Sequence, residues 1–146
     1  MITVRNLQKT LSLNPVSVKN TIRNILKACL PAGKACRVSD AELTIAFVSR
    51  QKIAALNKQF LGRAYATDVL AFDLRNHPRG ALKGDVIIST DAVIKQSKVF
   101  GQPVSRELTL YMIHGILHLL GYDDHRPKDI ARMRKEEQRI LKILRK

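Results

Sequence analysis

The chain has 146 residues, of which 45% are hydrophobic and 26% are charged, a composition typical of a globular protein that buries one core. Its 26 Lys and Arg against 12 Asp and Glu give a formal net charge of +14, spread along the chain rather than confined to a tail. This charge favours a polyanionic partner such as nucleic acid. The alternative is a basic surface that only keeps the protein in solution. We expect one domain over residues 1–146.

The sequence also bears on location. No stretch approaches the roughly eighteen apolar residues that a membrane span requires, and the first residues lack the charged start and apolar run of a signal peptide. Cys29 and Cys36 match no usual zinc or redox spacing. We therefore expect a cytoplasmic protein with no membrane partner.

The first half of the chain predicts two strands, each followed by a helix. Strand character at residues 2–7 and 43–48 alternates with helical periodicity at residues 15–30 and 50–61. Each helical segment follows an Asn or Ser that can cap a helix.

The second half begins with two short runs of strand character, residues 69–72 and 85–89. A turn-rich segment separates them, so a hairpin-like pair is expected. A helix then starts with Ser89 or Thr90 as its cap and ends at Gly101.

Two more helices complete the chain. Residues 106–120 are nearly apolar from Leu108 onward, which predicts a helix in the middle of the domain. Pro127 begins a terminal helix with one apolar stripe and a basic outer face. The order of elements predicts an α+β layered fold, with a small mixed four-stranded sheet packed against about five helices.

The central helix carries two imidazoles at the spacing of a metal site. His114 and His118 lie four residues apart and so share one helix face. Gly121 allows the chain to turn and bring back a third ligand, either Asp124 or His125. A lone pair of histidines on an apolar helix is more often part of a core, but this continuation favours a metal. Three ligands leave a fourth position for water, which predicts a catalytic zinc site.

Two nearby residues bear on the chemistry. Zinc peptidases carry a glutamate directly after the first histidine, whereas this chain has Gly115, which argues against a peptidase. Glu107 lies two turns before His114 on the same face. It either orients a ligand from the second layer around the metal or bonds within the core, and the second interpretation is favoured. The proton-transfer group stays unassigned.

Four segments in order resemble the YbeY endoribonuclease family. Residues 114–123, His-Gly-Ile-Leu-His-Leu-Leu-Gly-Tyr-Asp, resemble its metal motif. The segments Thr67-Asp68-Val69-Leu70-Ala71-Phe72, Gly84-Asp85-Val86-Ile87-Ile88-Ser89 and Arg106-Glu107-Leu108 resemble its upstream motifs. The resemblance covers about residues 42–144.

The resemblance implies a metal-dependent endoribonuclease that is specific for single-stranded RNA. It further implies action in ribosomal RNA processing, at the 3′ end of the small-subunit RNA, and in ribosome quality control. The implied fold has a metzincin-like metal site on the central helix with one zinc ion per chain. We expect RNA and the ribosome as partners and a monomeric protein. The alternatives are a zinc hydrolase of another bond, peptide included, and an RNA-binding or ribosome-binding protein whose metal is structural.

This sequence departs from the family pattern at two places. The position of the family's third histidine holds Asp124, and His125 follows it. An ungapped alignment keeps Glu137 in register with the family's last helix, which favours Asp124 as the ligand and leaves His125 as the alternative. The family's arginine is replaced by Leu61, so Arg63 is a candidate RNA-binding cation, although most surface arginines are only solvated.

Overall fold

The computed structural model describes residues 1–30, 37–62 and 67–145. Within these ranges four strands form one sheet and five α-helices pack against it. The strands are Ile2–Asn6 (β1), Glu42–Val48 (β2), Val69–Asp73 (β3) and Lys83–Ser89 (β4). The α-helices are Pro15–Cys29 (α1), Arg50–Leu61 (α2), Thr90–Phe100 (α3), Val104–Leu119 (α4) and Pro127–Leu144 (α5), and a 3-10 helix spans Val38–Asp40. The predicted α+β architecture is confirmed.

The sheet is mixed and has the strand order β1-β2-β4-β3. β1 pairs with β2 and β2 with β4 in parallel, while β3 runs antiparallel to β4. The predicted hairpin-like pair is therefore present. Within the described residues β3 pairs with β4 alone, so β3 is an edge strand.

Helices pack against both faces of the sheet. Side chains alternate between the two faces along each strand, so each face contributes to a separate cluster. Val86 and Ile88 of β4 belong to a large core cluster that also includes side chains of α1, α4 and α5. Leu70 and Phe72 of β3 belong to a smaller cluster with α2 on the opposite face. The sheet thus separates α2 from α4, and β3 lies at the border between them.

Two glycines allow α4 to approach the sheet closely. A Cβ atom on Gly115 would lie 2.4 Å from Cγ1 of Val86, and one on Gly84 would lie 2.8 Å from Cδ2 of Leu119. Atoms at these separations overlap, so side chains are excluded at both positions. α4 therefore packs its backbone directly against β4, in the middle of the domain as predicted.

The C-terminal end of α4 is also held from the side. Arg75, in the connection between β3 and β4, donates from Nη2 to the carbonyl oxygen of Leu119 at 2.9 Å. The same guanidinium pairs with Asp73 at 2.7 Å, and this lowers the pKa of Asp73. The connection thereby fixes the last turn of α4.

Several boundaries differ from the sequence prediction by one or two residues. α4 begins at Val104 and not at residue 106, because the backbone carbonyl of Pro103 already accepts hydrogen bonds from Arg106 and Glu107. Ser89, rather than Thr90, caps α3, since its hydroxyl accepts from the amide of Ala92 at 3.2 Å. The short helix Val38–Asp40 was not predicted. Within the described ranges, no helix is both long and apolar enough to cross a lipid bilayer.

Candidate metal centre

The last turns of α4 bring two imidazole nitrogens together. Nε2 of His114 and Nε2 of His118 lie 3.0 Å apart, and the ring centroids are separated by 4.6 Å. Each side chain is 26% exposed. The two rings therefore lie at the bottom of an opening, accessible from one side.

The turn after α4 returns the chain to these rings. Gly121 has a φ of 98°, a left-handed conformation that favours glycine. The carboxylate of Asp124 then lies with Oδ2 3.4 Å from Nε2 of His114 and Oδ1 3.6 Å from Nε2 of His118. Three donor groups from one helix and one turn thus converge.

The spacing of these donors fits a tetrahedral cation. Zinc binds imidazole nitrogen and carboxylate oxygen at about 2.0–2.2 Å, which places neighbouring tetrahedral ligands about 3.3–3.6 Å apart. The observed separations of 3.0, 3.4 and 3.6 Å lie close to this range. His114, His118 and Asp124 therefore form a donor set of suitable chemistry and size for one divalent cation.

The other candidate third ligand lies elsewhere. The ring of His125 pairs through Nδ1 with the carboxylate of Asp123, and its side chain is 72% exposed. It groups with Asp123 and Asp124 rather than with the two helix histidines. The geometry brings Asp124 to the histidine pair, and the role of Asp124 as a ligand stays a prediction.

A glutamate on α5 supports the first histidine. Glu137 is 8% exposed, and its Oε2 lies 3.1 Å from Nδ1 of His114. A carboxylate on one ring nitrogen fixes the tautomer and leaves Nε2 available to a cation. From the sequence we predicted no role in the site for Glu137. The signal was present, because an acidic residue stands between Met133 and Ile140 on the buried stripe of α5.

The three donor groups line a cavity of about 580 Å³. Its walls come from the end of α2, residues 67–71, α4, the turn after α4, and α5. Among the described lining residues, three are carboxylates, at Asp68, Asp124 and Glu137, and none is Lys or Arg. The described wall is therefore acidic, although the whole chain is strongly basic.

A tyrosine and an aspartate meet on the cavity wall. The hydroxyl of Tyr111 donates to Oδ2 of Asp68 at 3.4 Å. Burial and the nearby Asp68 raise the pKa of Tyr111, which keeps its hydroxyl protonated. This hydrogen bond joins α4 to the segment that precedes β3.

The electrostatics of the histidine pair suit metal binding. Burial lowers the pKa of His118 below its ordinary value of 6.5, and the neighbouring His114 lowers it further. A lowered pKa favours the neutral imidazole, which is the form that coordinates metal.

The remaining candidate residues lie as follows. Glu107 is 3% exposed and pairs with its chain neighbour Arg106 at 3.6 Å, in keeping with the favoured structural role. Gly115 faces the sheet, so the position of the peptidase glutamate has no room for a side chain. His77, in the connection between β3 and β4, is exposed. Arg63 lies outside the described residues.

Comparisons with known proteins agree with the motifs. The family described as Endoribonuclease YbeY matches residues 3–145. An Endoribonuclease YbeY of Anaeromyxobacter sp. (strain Fw109-5) is 43% identical over 105 residues, which cover 71% of this chain and 55% of that protein. The one of Carboxydothermus hydrogenoformans is 31% identical and covers 99% of this chain and 97% of that protein. This chain thus spans about half the length of the first relative and nearly all of the second.

A solved structure supports the fold. The solution structure of TM1509 from Thermotoga maritima has a TM-score of 0.66 and 26% sequence identity, and the match covers 98% of this chain and 88% of that one. The match to the family extends over almost the whole sequence. This chain belongs to the Endoribonuclease YbeY family.

Proposed function

We propose that this protein is a zinc-dependent endoribonuclease that cuts single-stranded RNA. The convergence of His114, His118 and Asp124 in one cavity is the observation that carries the proposal. Membership of the Endoribonuclease YbeY family supports the choice of RNA as substrate. The net charge of +14 supports it separately, because RNA binding requires positive charge to displace counterions.

The acidic wall supports an activity that depends on metal. A bound divalent cation would supply Lewis acidity toward a phosphate oxygen and make water more acidic. The carboxylates of Asp68, Asp124 and Glu137 repel a phosphate diester when no cation offsets them. His114 and His118 hold the cation, and Asp124 neutralises part of its charge. Glu137 keeps the ring of His114 in place.

The surroundings of Gly115 favour a phosphodiester over a peptide bond as the target. Zinc peptidases use the carboxylate at this position to take a proton from water. Here the position packs against Val86, so no such base can stand there.

The finer parts of the proposal follow from family membership. We propose ribosomal RNA as the substrate, with the 3′ end of the small-subunit RNA as the processed site, and a contribution to ribosome quality control. The protein then acts in the cytoplasm, as one domain over residues 1–146 and as a monomer. Arg63 remains the candidate for a phosphate contact. Imidazole and carboxylate ligands suit zinc, and metal analysis distinguishes it from nickel, iron or manganese.

The decisive experiment is RNA cleavage by the purified protein and four variants. We expect the wild type to cut single-stranded RNA, and His114→Ala and Asp124→Ala to lose bound metal and most activity. His77→Ala is the matched control that keeps both, and His125→Ala, which tests the alternative ligand, should also keep both. Equal cleavage by the wild type and the first two variants would indicate a contaminating nuclease and refute the proposal. If His114→Ala and Asp124→Ala lose their fold while RNA binding stays intact, the result would support a structural metal instead.

A further inference from the structure

Two aromatic rings pack together where α2 meets the edge strand β3. The rings of Phe60 and Phe72 have centroids 5.8 Å apart and an interplanar angle of 67°, an edge-to-face arrangement. Phe72 packs against the small core cluster between α2 and the sheet. Phe60 is therefore held by a partner that is itself anchored.

Phe60 is nevertheless 59% exposed. An aromatic ring that is fixed at its side and open to solvent retains a surface onto which a flat group can stack. The next residue, Leu61, is 46% exposed and lines the cavity of His114 and His118. Leu70, which shares one face of β3 with Phe72, also lines the cavity. The pair therefore lies next to the cavity on both α2 and β3.

The charges around the pair favour a nucleic acid as its occupant. α2 contains Arg50, Lys52 and Lys58 and no acidic residue, and all three basic residues are exposed. Among the described residues that line the cavity, none is Lys or Arg. A strand of RNA that enters beside α2 thus meets positive charge for its phosphates on the helix and apolar surface for a base.

We propose that Phe60 is a stacking platform for an unpaired base of the RNA, next to the phosphate that reaches the metal centre. The proposal rests on the function proposed above. It explains a preference for single strands, because a base within a duplex has no open face to offer. Stacking on an aromatic side chain tolerates any base, so the platform positions the strand without reading its sequence.

The test is a titration of the metal-loaded protein with a single-stranded RNA that contains 2-aminopurine, whose fluorescence falls when it stacks. Stopped-flow mixing records binding before cleavage. Phe60→Ala should weaken binding by about 5- to 150-fold, the range found for loss of one stacked base, and should remove the quenching. Phe60→Leu should bind as weakly as Phe60→Ala, whereas Phe60→Trp should restore affinity and quenching.

Phe100 provides the matched control. It is an exposed phenylalanine, 65% accessible, that ends α3 and does not line the cavity, so Phe100→Ala should bind RNA like the wild type. The salt dependence of binding should be unchanged in Phe60→Ala, because no phosphate contact is lost. Lys58→Ala provides the opposite comparison, because loss of an exposed cation on the same helix should lower the salt dependence.

The outcomes separate the two proposals. Wild-type affinity in Phe60→Ala or in Phe60→Leu overturns the stacking platform while cleavage by the wild type leaves the enzymatic proposal standing. Binding that depends on Phe60 in a protein that cuts no RNA supports the platform and refutes the nuclease. A wild type that neither binds nor cuts RNA overturns both.

Discussion

The side chain of Glu137 decides which nitrogen of His114 is available to a cation. Its carboxylate lies 3.1 Å from Nδ1 and is buried on α5. A buried carboxylate without a donor is costly, so the pair favours the tautomer with the proton on Nδ1. Nε2 then carries the lone pair, and this nitrogen faces His118 and Asp124.

Replacing this carboxylate should therefore change metal affinity more than folding. We expect Glu137→Ala to lower zinc affinity by about 10- to 100-fold, the usual effect of removing such a partner. Glu137→Gln should lose less, because its amide oxygen still accepts the hydrogen bond. Competition with a chromophoric chelator measures the affinity, and circular dichroism checks the fold.

The neighbouring residue is the natural control. Glu136 pairs with Arg139 at the surface of the same helix, so Glu136→Ala should bind zinc like the wild type. Unchanged affinity in Glu137→Ala, or an equal loss in Glu136→Ala, would contradict the role of Glu137.

At the scale of elements, the position of the metal centre depends on how closely α4 packs against β4. Alanine is a better helix former than glycine by about 1 kcal/mol, so helix propensity alone predicts that Gly115→Ala stabilises the protein. The Cβ atom that alanine adds would overlap Cγ1 of Val86, which predicts the opposite, because overpacking a core costs about 1–3 kcal/mol. We expect the steric cost to outweigh the gain in helix propensity.

We expect Gly115→Ala to lower the free energy of unfolding by up to about 2 kcal/mol in urea denaturation, because the gain in helix propensity offsets about 1 kcal/mol of the steric cost. Val86→Ala removes the methyl groups that clash, so the double variant should be more stable than the sum of the two single effects predicts. If the effects of the two substitutions are additive, or if Gly115→Ala is more stable than the wild type, α4 moves away from the sheet at no cost.

The elements themselves follow from local patterns, and this is why sequence located them. Apolar periodicity, the caps Asn14 and Ser49, and the ends at Gly62 and Gly101 all act within a few residues. The order β1-β2-β4-β3 has no such local signal. It results from contacts between distant segments.

At the scale of the whole molecule, two charge distributions act on an approaching RNA one after the other. The net charge of +14 draws a polyanion toward the surface, while the described cavity wall is acidic. We infer that the surface brings RNA to the protein and that the cation admits one phosphate to the centre.

RNA affinity should therefore fall steeply with salt. Single strands lose about 0.7 log units of affinity per log unit of salt for each phosphate contacted. An RNA held through four phosphates should thus bind about 50-fold more weakly at 200 mM than at 50 mM salt. Fluorescence anisotropy measures this, with thermal unfolding over the same salt range as the control. An affinity that does not respond to salt would contradict a role of the net charge in RNA binding.

The sequence by itself determined the secondary structure, the histidine pair and the family, because each depends on the spacing of nearby residues. His114 and His118 are four residues apart, so they share one face of any helix that contains both. The tertiary structure decided which groups join them. It placed Asp124 rather than His125 beside both rings, brought Glu137 from 23 residues away, and set Phe60 beside the cavity. Those contacts depend on how α2, α4 and α5 pack on the sheet, and packing between elements far apart in the chain leaves no fixed spacing in the sequence.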